Sequence, residues 1–340
     1  MDHIAIDLGS RTSQICVRDA QGQIVDEQSY TTRHLGTYLR RRPAGQVIVE
    51  TSSEAFGVAR MAQAAGHQVS VVPSVLSRAL GVGYRGTKTD VRDARALSEA
   101  STRVALPSVH IPSEQSLHWR AMSTSRQALV RARTLLINRV RGYLRTQLSS
   151  RVRCSSKTMP KAVRRALESS EDGLPGHLET ALASIETLSA QIIAIESEMA
   201  AVIDEEPVAK LLMSMPGVGP ITALRFMAAV DDINRFGSAQ ALTSYLGLTA
   251  GERSSGQTRR RTGIIKAGPS AVRHALGQGA WQLWRRRPED PMVQWARRIA
   301  ERRNTQIAIT ALARKMAGVL YAMWRDGQPY RPQLAAPPTT

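Results

Sequence analysis

His3-Ile4-Ala5-Ile6-Asp7 is a short run, apolar through its middle, that closes on a carboxylate; reading it as a strand decides the fold of everything up to residue 150. Gln14-Ile15-Cys16-Val17-Arg18 repeats the pattern, and Asp19-Ala20-Gln21-Gly22-Gln23, ahead of Ile24-Val25, has the composition of a hairpin turn into a third strand. Further out, Val47-Ile48-Val49 closes on Glu50 and Val69-Ser70-Val71-Val72 stops at Pro73. Between them, Glu54 to Gly66 has helical composition and a glycine stop.

Three antiparallel strands followed by strand, helix and strand describe an α/β domain with a mixed sheet of the ribonuclease-H-like type. Asp7 and Glu50 each end an apolar strand, and the carboxyl edge of such a sheet is where α/β proteins hold ligands. Lys88-Thr89-Asp90-Val91-Arg92-Asp93-Ala94 adds two carboxylates three residues apart, which share one face if the stretch starts a helix. Adjacent acids repel each other, and water, nearby arginines or a divalent cation can offset that repulsion. Solvation in a first helical turn is the ordinary answer. Four acids on one sheet edge change the balance, because two Mg²⁺ ions need carboxylate bridges and hard oxygen ligands, where Zn²⁺ would prefer His or Cys.

Charge bounds the partners. Against 28 Asp and Glu stand 46 Lys and Arg, a net +18, which favours polyanions and nucleic acid above all. Cys16 and Cys154 form neither a zinc set nor a disulfide framework. The start, Met1-Asp2-His3-Ile4, has no secretory pattern and no stretch reads as a membrane span, so a cytoplasmic protein is expected.

The charge is also segregated. From Gln115 to Leu167 there are eleven arginines, two lysines and no acid. Arg126, Arg131, Arg133, Arg139, Arg141 and Arg145 lie along one expected helix whose apolar side is Leu129, Leu135, Leu136, Val140 and Leu144. A solvated face normally mixes signs, so this one is expected to meet nucleic acid. From Glu168 to Ala209 the sign reverses, with ten acids and no Lys or Arg. There Leu178, Ile185, Ile192 and Met199 recur every seven residues, as do Ala181, Leu188, Ile195 and Val202. That seam serves either a coiled coil between subunits or packing on the preceding helix.

Pro216-Gly217-Val218-Gly219-Pro220 has the form of a helix-hairpin-helix turn, in which Gly217 and Gly219 let backbone N–H groups approach a phosphate; a plain connecting turn is the alternative. The stretch from Thr249 to Gly263 is rich in turn residues and sets Ser254 and Ser255 among Arg253, Arg259, Arg260 and Arg261, with Lys266 just beyond. Guanidinium groups there would stabilise a serine alkoxide and the oxygens of a phosphate it attacks. A loop that only grips phosphate with its hydroxyls is the simpler reading. Trp281, Trp284, Trp295 and Trp324 fall among Arg285-Arg286-Arg287, Arg297-Arg298 and Arg302-Arg303, a spacing that suits core packing before base stacking.

Taken in order, Ile6-Asp7-Leu8-Gly9, Val49-Glu50-Thr51, Lys88 to Ala94, Pro216 to Ala223 and Arg253-Ser254-Ser255-Gly256 resemble the DEDD transposases of the IS110 insertion-sequence family, the bridge-RNA-guided serine recombinases. The resemblance spans nearly the whole chain. It implies that Asp7, Glu50, Asp90 and Asp93 form the metal-binding tetrad of a RuvC-like domain, with two Mg²⁺ ions, and that Ser254 is the nucleophile of a C-terminal transposase domain. Ser254 stands two before Gly256 as the family motif requires; Ser255 is its neighbour. Lys88 and Arg92 then become phosphate contacts beside the metals. The implied partners are donor and target double-stranded DNA, a structured non-coding RNA, and further copies of the chain in dimers and tetramers within a bacterial cytoplasm.

The expected organisation is a RuvC-like domain over 1–150 that ends in the basic helix, a helical coiled-coil segment over 151–208, a mainly α transposase domain over 209–328, and a disordered tail over 329–340. A Holliday-junction nuclease using metal-activated water would employ the same acids without a serine adduct. Ile4 to Ser10 also resembles the first phosphate loop of sugar kinases and actin-like ATPases, but no second phosphate loop follows. A non-enzymatic nucleic-acid binder would account for the arginines and not for the acids.

Overall fold

A computed structural model of the chain describes residues 1–75, 89–146, 154–168, 173–255 and 258–332, with the backbone alone at 168, 253–255 and 258–261. It divides into two compact units, Met1–Pro112 and Ser113–Thr340.

The first unit is built on a five-stranded mixed sheet in the order β3-β2-β1-β4-β5. The strands are β1 (His3–Asp7), β2 (Thr12–Arg18), β3 (Ile24–Thr31), β4 (Gln46–Glu50) and β5 (Gln68–Val72). β1 runs antiparallel to β2 and parallel to β4, with Ile6 opposite both Ile15 and Val49. Because strand side chains alternate between faces, Ile4, Ile6, Val47 and Val49 pack on one side and Ala5, Ile48 and Val72 on the other. Both sides are covered, which is why these strands read as continuous apolar runs. α1 (Leu35–Arg40) and α2 (Ala55–Ala64) supply Leu35, Leu39, Val58 and Ala62 to the first side; α3 (Asp90–Arg103) lays Leu97 on the second. This mixed sheet with helices on both faces is compatible with the expected ribonuclease-H-like arrangement. At the β1–β2 turn a Cβ on Gly9 would come within 2.3 Å of the Thr12 carbonyl oxygen, so only glycine fits; Thr32 Oγ1 donates to the Gly9 carbonyl at 2.7 Å and fixes the turn from β3's end.

The second unit is mainly helical. α4 (Glu114–Thr146) and α6 (Gly176–Glu205) form a long antiparallel hairpin, with α5 (Met159–Glu168) against its far end. α7 (Pro207–Met213), α8 (Pro220–Val230), α9 (Ala239–Tyr245), α10 (Ser270–Arg286), α11 (Pro291–Arg302) and α12 (Thr305–Asp326) pack into one core around α8, which is buried from Ala223 to Val230. Between α9 and α10 a two-stranded hairpin, β6 (Ala250–Ser255) and β7 (Thr258–Ile264), occupies the stretch expected to be turns.

Several expectations change. The basic helix belongs to the second unit, not to the sheet domain, because its apolar residues pack on α6 and α8: Ile137, Val140 and Leu144 meet Leu178, Leu182 and Ile185, while Trp119 joins the core around α8. The two compact units therefore part at residue 112, inside the expected 1–150 span, and α5 and α6 pack within the second unit. Leu178, Ile185, Ile192 and Met199, the seven-residue seam, are buried inside this chain, which is the intramolecular alternative. Leu135 is 59% exposed on the arginine side of α4, displaced by Ile137. Residues 329–332 are held rather than loose: the Tyr330 N–H donates to Ser214 Oγ at 3.0 Å and its hydroxyl to Asp290 Oδ2 at 2.8 Å. Contrary to the sequence reading, α6 and α12 are long and apolar enough to cross a membrane by length and composition alone. Half of the apolar stretch of α12 is buried in the core, including Leu312, Met316 and Leu320, and α6 turns its buried seam on α4.

Candidate active site

The expected site residues fall in two parts of the chain, one in each unit. In the first, Asp7 ends β1 and Glu50 ends β4, neighbouring parallel strands about 4.8 Å apart, so the two acids leave the same sheet edge together. α3 runs antiparallel to β1. Ser101 Oγ is 3.1 Å from His3 Nδ1 at the start of the strand, Ser98 Oγ donates to Cys16 Sγ at 3.2 Å opposite its middle, and Leu97 packs on Ala5. Each turn toward the start of α3 is therefore a step toward Asp7. Asp93 lies one turn before Leu97 on the sheet side and is 7% exposed, whereas Asp90 is exposed in the first turn.

All four expected acids are carboxylates, and by donor type they suit a hard divalent cation. Among the described residues, however, no three acidic, His or Cys side chains stand close enough together to hold a metal ion. The sheet edge collects these acids without drawing them into a ligand cluster. Arg92 is exposed on α3, and Lys88 lies outside the described residues.

The second part is the hairpin. Its register pairs Ser255 with Thr258, Ser254 with Arg259, Arg253 with Arg260 and Glu252 with Arg261, so the serines end β6 opposite the start of the arginine run on β7. The base of the hairpin is locked. Gly247, with φ +68°, and Gly268, with φ +78°, occupy left-handed positions, where an added Cβ would fall 1.9 Å from the Ala267 carbonyl oxygen and 2.0 Å from that of Tyr245. Lys266, also left-handed at φ +60°, donates its N–H to the Gly247 carbonyl at 3.1 Å. From the first turn of α10, Arg273 Nη1 donates to the carbonyls of Leu246, Ala267 and Gly268 at 3.1, 2.8 and 3.0 Å. Arg273 was not singled out in the sequence. Its contacts reach back across the whole hairpin, and only the Gly247 and Gly268 pair flanking that hairpin hints at the lock.

The expected nucleic-acid contacts divide. Arg131, Arg139 and Arg141 are exposed on α4. Arg126 instead donates to Glu196 Oε1 at 2.8 Å, and Arg133 to Ser189 Oγ at 3.3 Å with its Nε enclosed, so both belong to the α4–α6 contact. Nearby, Arg225 is 6% exposed and donates to Ser123 Oγ at 2.7 Å and Gln127 Oε1 at 2.9 Å. Burial first, then Arg126 and Arg131, hold its guanidinium below the usual pKa. Gly217 has φ +89°, and a Cβ there would meet the Gly279 carbonyl oxygen at 2.5 Å; its glycine serves the crossing of this turn against α10, the connecting-turn alternative. Gly219 caps α8 with open space around it.

Comparison with known proteins converges on one family. Residues 4–148 match the model of IS110-type DEDD transposases, and residues 209–293 match the model described as the transposase IS116/IS110/IS902 family; together they cover about two thirds of the chain. A probable family 20 transposase of Pseudomonas aeruginosa is 27% identical over 340 residues, spanning 98% of this chain and 99% of its own. The transposase of insertion sequence IS1111A from Coxiella burnetii is 27% identical over 336 residues, with 96% and 91% covered, and that of IS1328 from Yersinia enterocolitica is 27% identical over 338, with 95% and 97% covered.

Proposed function

We infer the chemistry from one premise: the chain belongs to the IS116/IS110/IS902 family of insertion-sequence transposases, with the IS110-type DEDD motif set in its first part. An enzyme of this family cuts and rejoins DNA. The reading carried furthest is transesterification through a phosphoserine. Ser254 Oγ attacks a DNA phosphodiester, the Oγ–P bond forms as the P–O bond to the sugar breaks, and the serine proton ends on the displaced sugar oxygen. A hydroxyl of the exchanged strand then reverses the step, so bond energy is kept and no external energy source is needed.

The observation that carries this reading is the hairpin register, Ser254 opposite Arg259 on a stem whose base Arg273 ties at three carbonyls. A nucleophile on such a stem is held in place rather than presented by a free loop, and Arg253, Arg259, Arg260 and Arg261 bring donors for the phosphate oxygens. Asp7, Glu50, Asp90 and Asp93 would hold Mg²⁺. The chemistry a bound cation supplies is neutralisation of charge on the transferring phosphate. The acids and Ser254 are assigned to one strand-transfer reaction, carried out within one chain or by the dimers and tetramers that the resemblance implies.

Recognition of donor and target sequence is assigned to pairing with a structured non-coding RNA in the cytoplasm. Exposed Arg131, Arg139 and Arg141 then serve the phosphate backbone. The test is covalent capture: wild-type protein incubated with its element-end DNA and Mg²⁺ should yield a protein–DNA adduct on a denaturing gel, lost in Ser254→Ala. Cleaved DNA with no adduct would instead favour the metal-and-water nuclease.

A further inference from the structure

We propose that the outer surface of α10 and α11 is a second interface for duplex DNA, gripping its phosphate backbone away from the bond that Ser254 attacks. The proposal rests on the family reading that the substrate is DNA, but not on the serine chemistry. Arg285, Arg286 and Arg287 end α10, and Arg297, Arg298 and Arg302 lie along α11, all exposed. α10 spans 17 residues, about 24 Å, with the reactive hairpin joined at one end and this cluster at the other.

Two observations separate these arginines from the rest. First, they differ in their partners. Arg126 is paired with Glu196, Arg164 with Glu179 and Glu186, and Arg325 with Asp326. Among the described residues no carboxylate pairs with Arg285, Arg297 or Arg298; Glu289 sits 3.7 Å from Arg287, and Glu301 is an exposed acid on α11. Second, the cations are organised by tryptophan. Arg285 lies 5.4 Å from the centre of the Trp281 ring, Arg297 lies 5.2 Å from Trp284, and Lys315 lies 4.9 Å from Trp295. These rings are half-buried against the core; Trp281 and Trp284 hold the exposed Arg285 and Arg297 at the surface with reduced freedom, while Lys315, on α12, is itself half-buried. With their open faces already covered, the rings offer no free platform for bases, and the surface suits phosphates of a duplex rather than an unstacked single strand.

Binding of the full-length protein in a Ser254→Ala background to a 30-base-pair duplex, followed by anisotropy across a salt series, tests this without any cleavage. Arg285→Glu with Arg297→Glu and Arg298→Glu should lower the dependence of log affinity on log salt by about 2 to 3, and weaken binding at least ~10-fold near physiological salt. The matching triple Lys variant should keep both. Arg298→Glu alone covers no ring and carries the test if the triple Glu variant does not fold; it should lower the slope by about 1. A folded Glu variant with unchanged slope would overturn the proposal. So would a Lys variant as weak as the Glu variant, which would mean ring packing and not charge, or a loss confined to single strands.

Discussion

Arg273 donates a hydrogen bond to the carbonyl of Ala267 across 2.8 Å, joining the first turn of α10 to the segment that leaves the β6–β7 hairpin. With the bonds to Leu246 and Gly268, one guanidinium nitrogen ties both ends of that hairpin to the helical core. No other side chain type can hold a fixed planar charge against three carbonyls in this way. Arg273→Ala should therefore slow adduct formation about 10²-fold, the order expected for a reacting group misplaced by an ångström, while DNA affinity changes less than about threefold. Arg273→Lys should recover part of the rate. A parallel loss of affinity and rate would make Arg273 a DNA contact instead.

Gly217 and Gly219 give opposite expectations although they sit in one motif. Gly217→Ala places a Cβ against the Gly279 carbonyl and forces a left-handed alanine, and should cost about 2 kcal/mol or more in denaturant unfolding. Gly219→Ala meets open space and should cost about 1 kcal/mol at most, through the weaker helix cap. Were Gly217 a phosphate contact, its variant would lose DNA affinity at unchanged stability.

Asp93 is buried on the sheet side of α3, where an amide of the same shape fits the same space. Asp93→Asn should leave the melting temperature unchanged or raise it while abolishing Mg²⁺-dependent strand cleavage, measured on labelled element ends. Chelation of divalent ions should do the same to wild-type protein and leave DNA binding in place. Full activity of Asp93→Asn in Mg²⁺ would remove it from the metal set.

Arg164 holds Glu179 and Glu186, and its hydrogen bonds are the first cause that sets both carboxyls below the usual 4.5. A depressed folded-state pKa means the stabilisation is complete above 4.5 and disappears as pH falls through the lowered values. These groups are largely exposed, so the effect is modest. Arg164→Ala should thus lower thermal stability at pH 7 and converge with wild type at strongly acidic pH; a constant difference would mean that the loss is one of packing.

The sheet was legible because its signals are local. Strand alternation, the Asp19 to Gln23 turn and the acids closing β1 and β4 are written within a few residues. The hairpin was not, since Arg, Ser and Thr on both strands leave no apolar alternation, and its stability comes from contacts between Gly247, Lys266, Gly268 and Arg273 that are distant in the chain. The packing of α4 was hidden for the same kind of reason: its run of arginines is visible, but that Ile137 rather than Leu135 faces α6 depends on the partner helix. The candidate site stands between these cases. Its residue types and their order are plain, whereas Arg126 and Arg133 are engaged within the fold and Gly217 is packed closely against Gly279.

In the proposed reaction one serine becomes covalently joined to DNA. Quenching the reaction, digesting both protein and DNA, and sequencing the nucleotide-bearing peptide by mass spectrometry reads that bond directly. The account predicts a single modified residue, Ser254, in a peptide from the β6–β7 hairpin. Attachment at Ser255 would move the role by one residue; cleaved DNA with no nucleotide-bearing peptide would contradict the account.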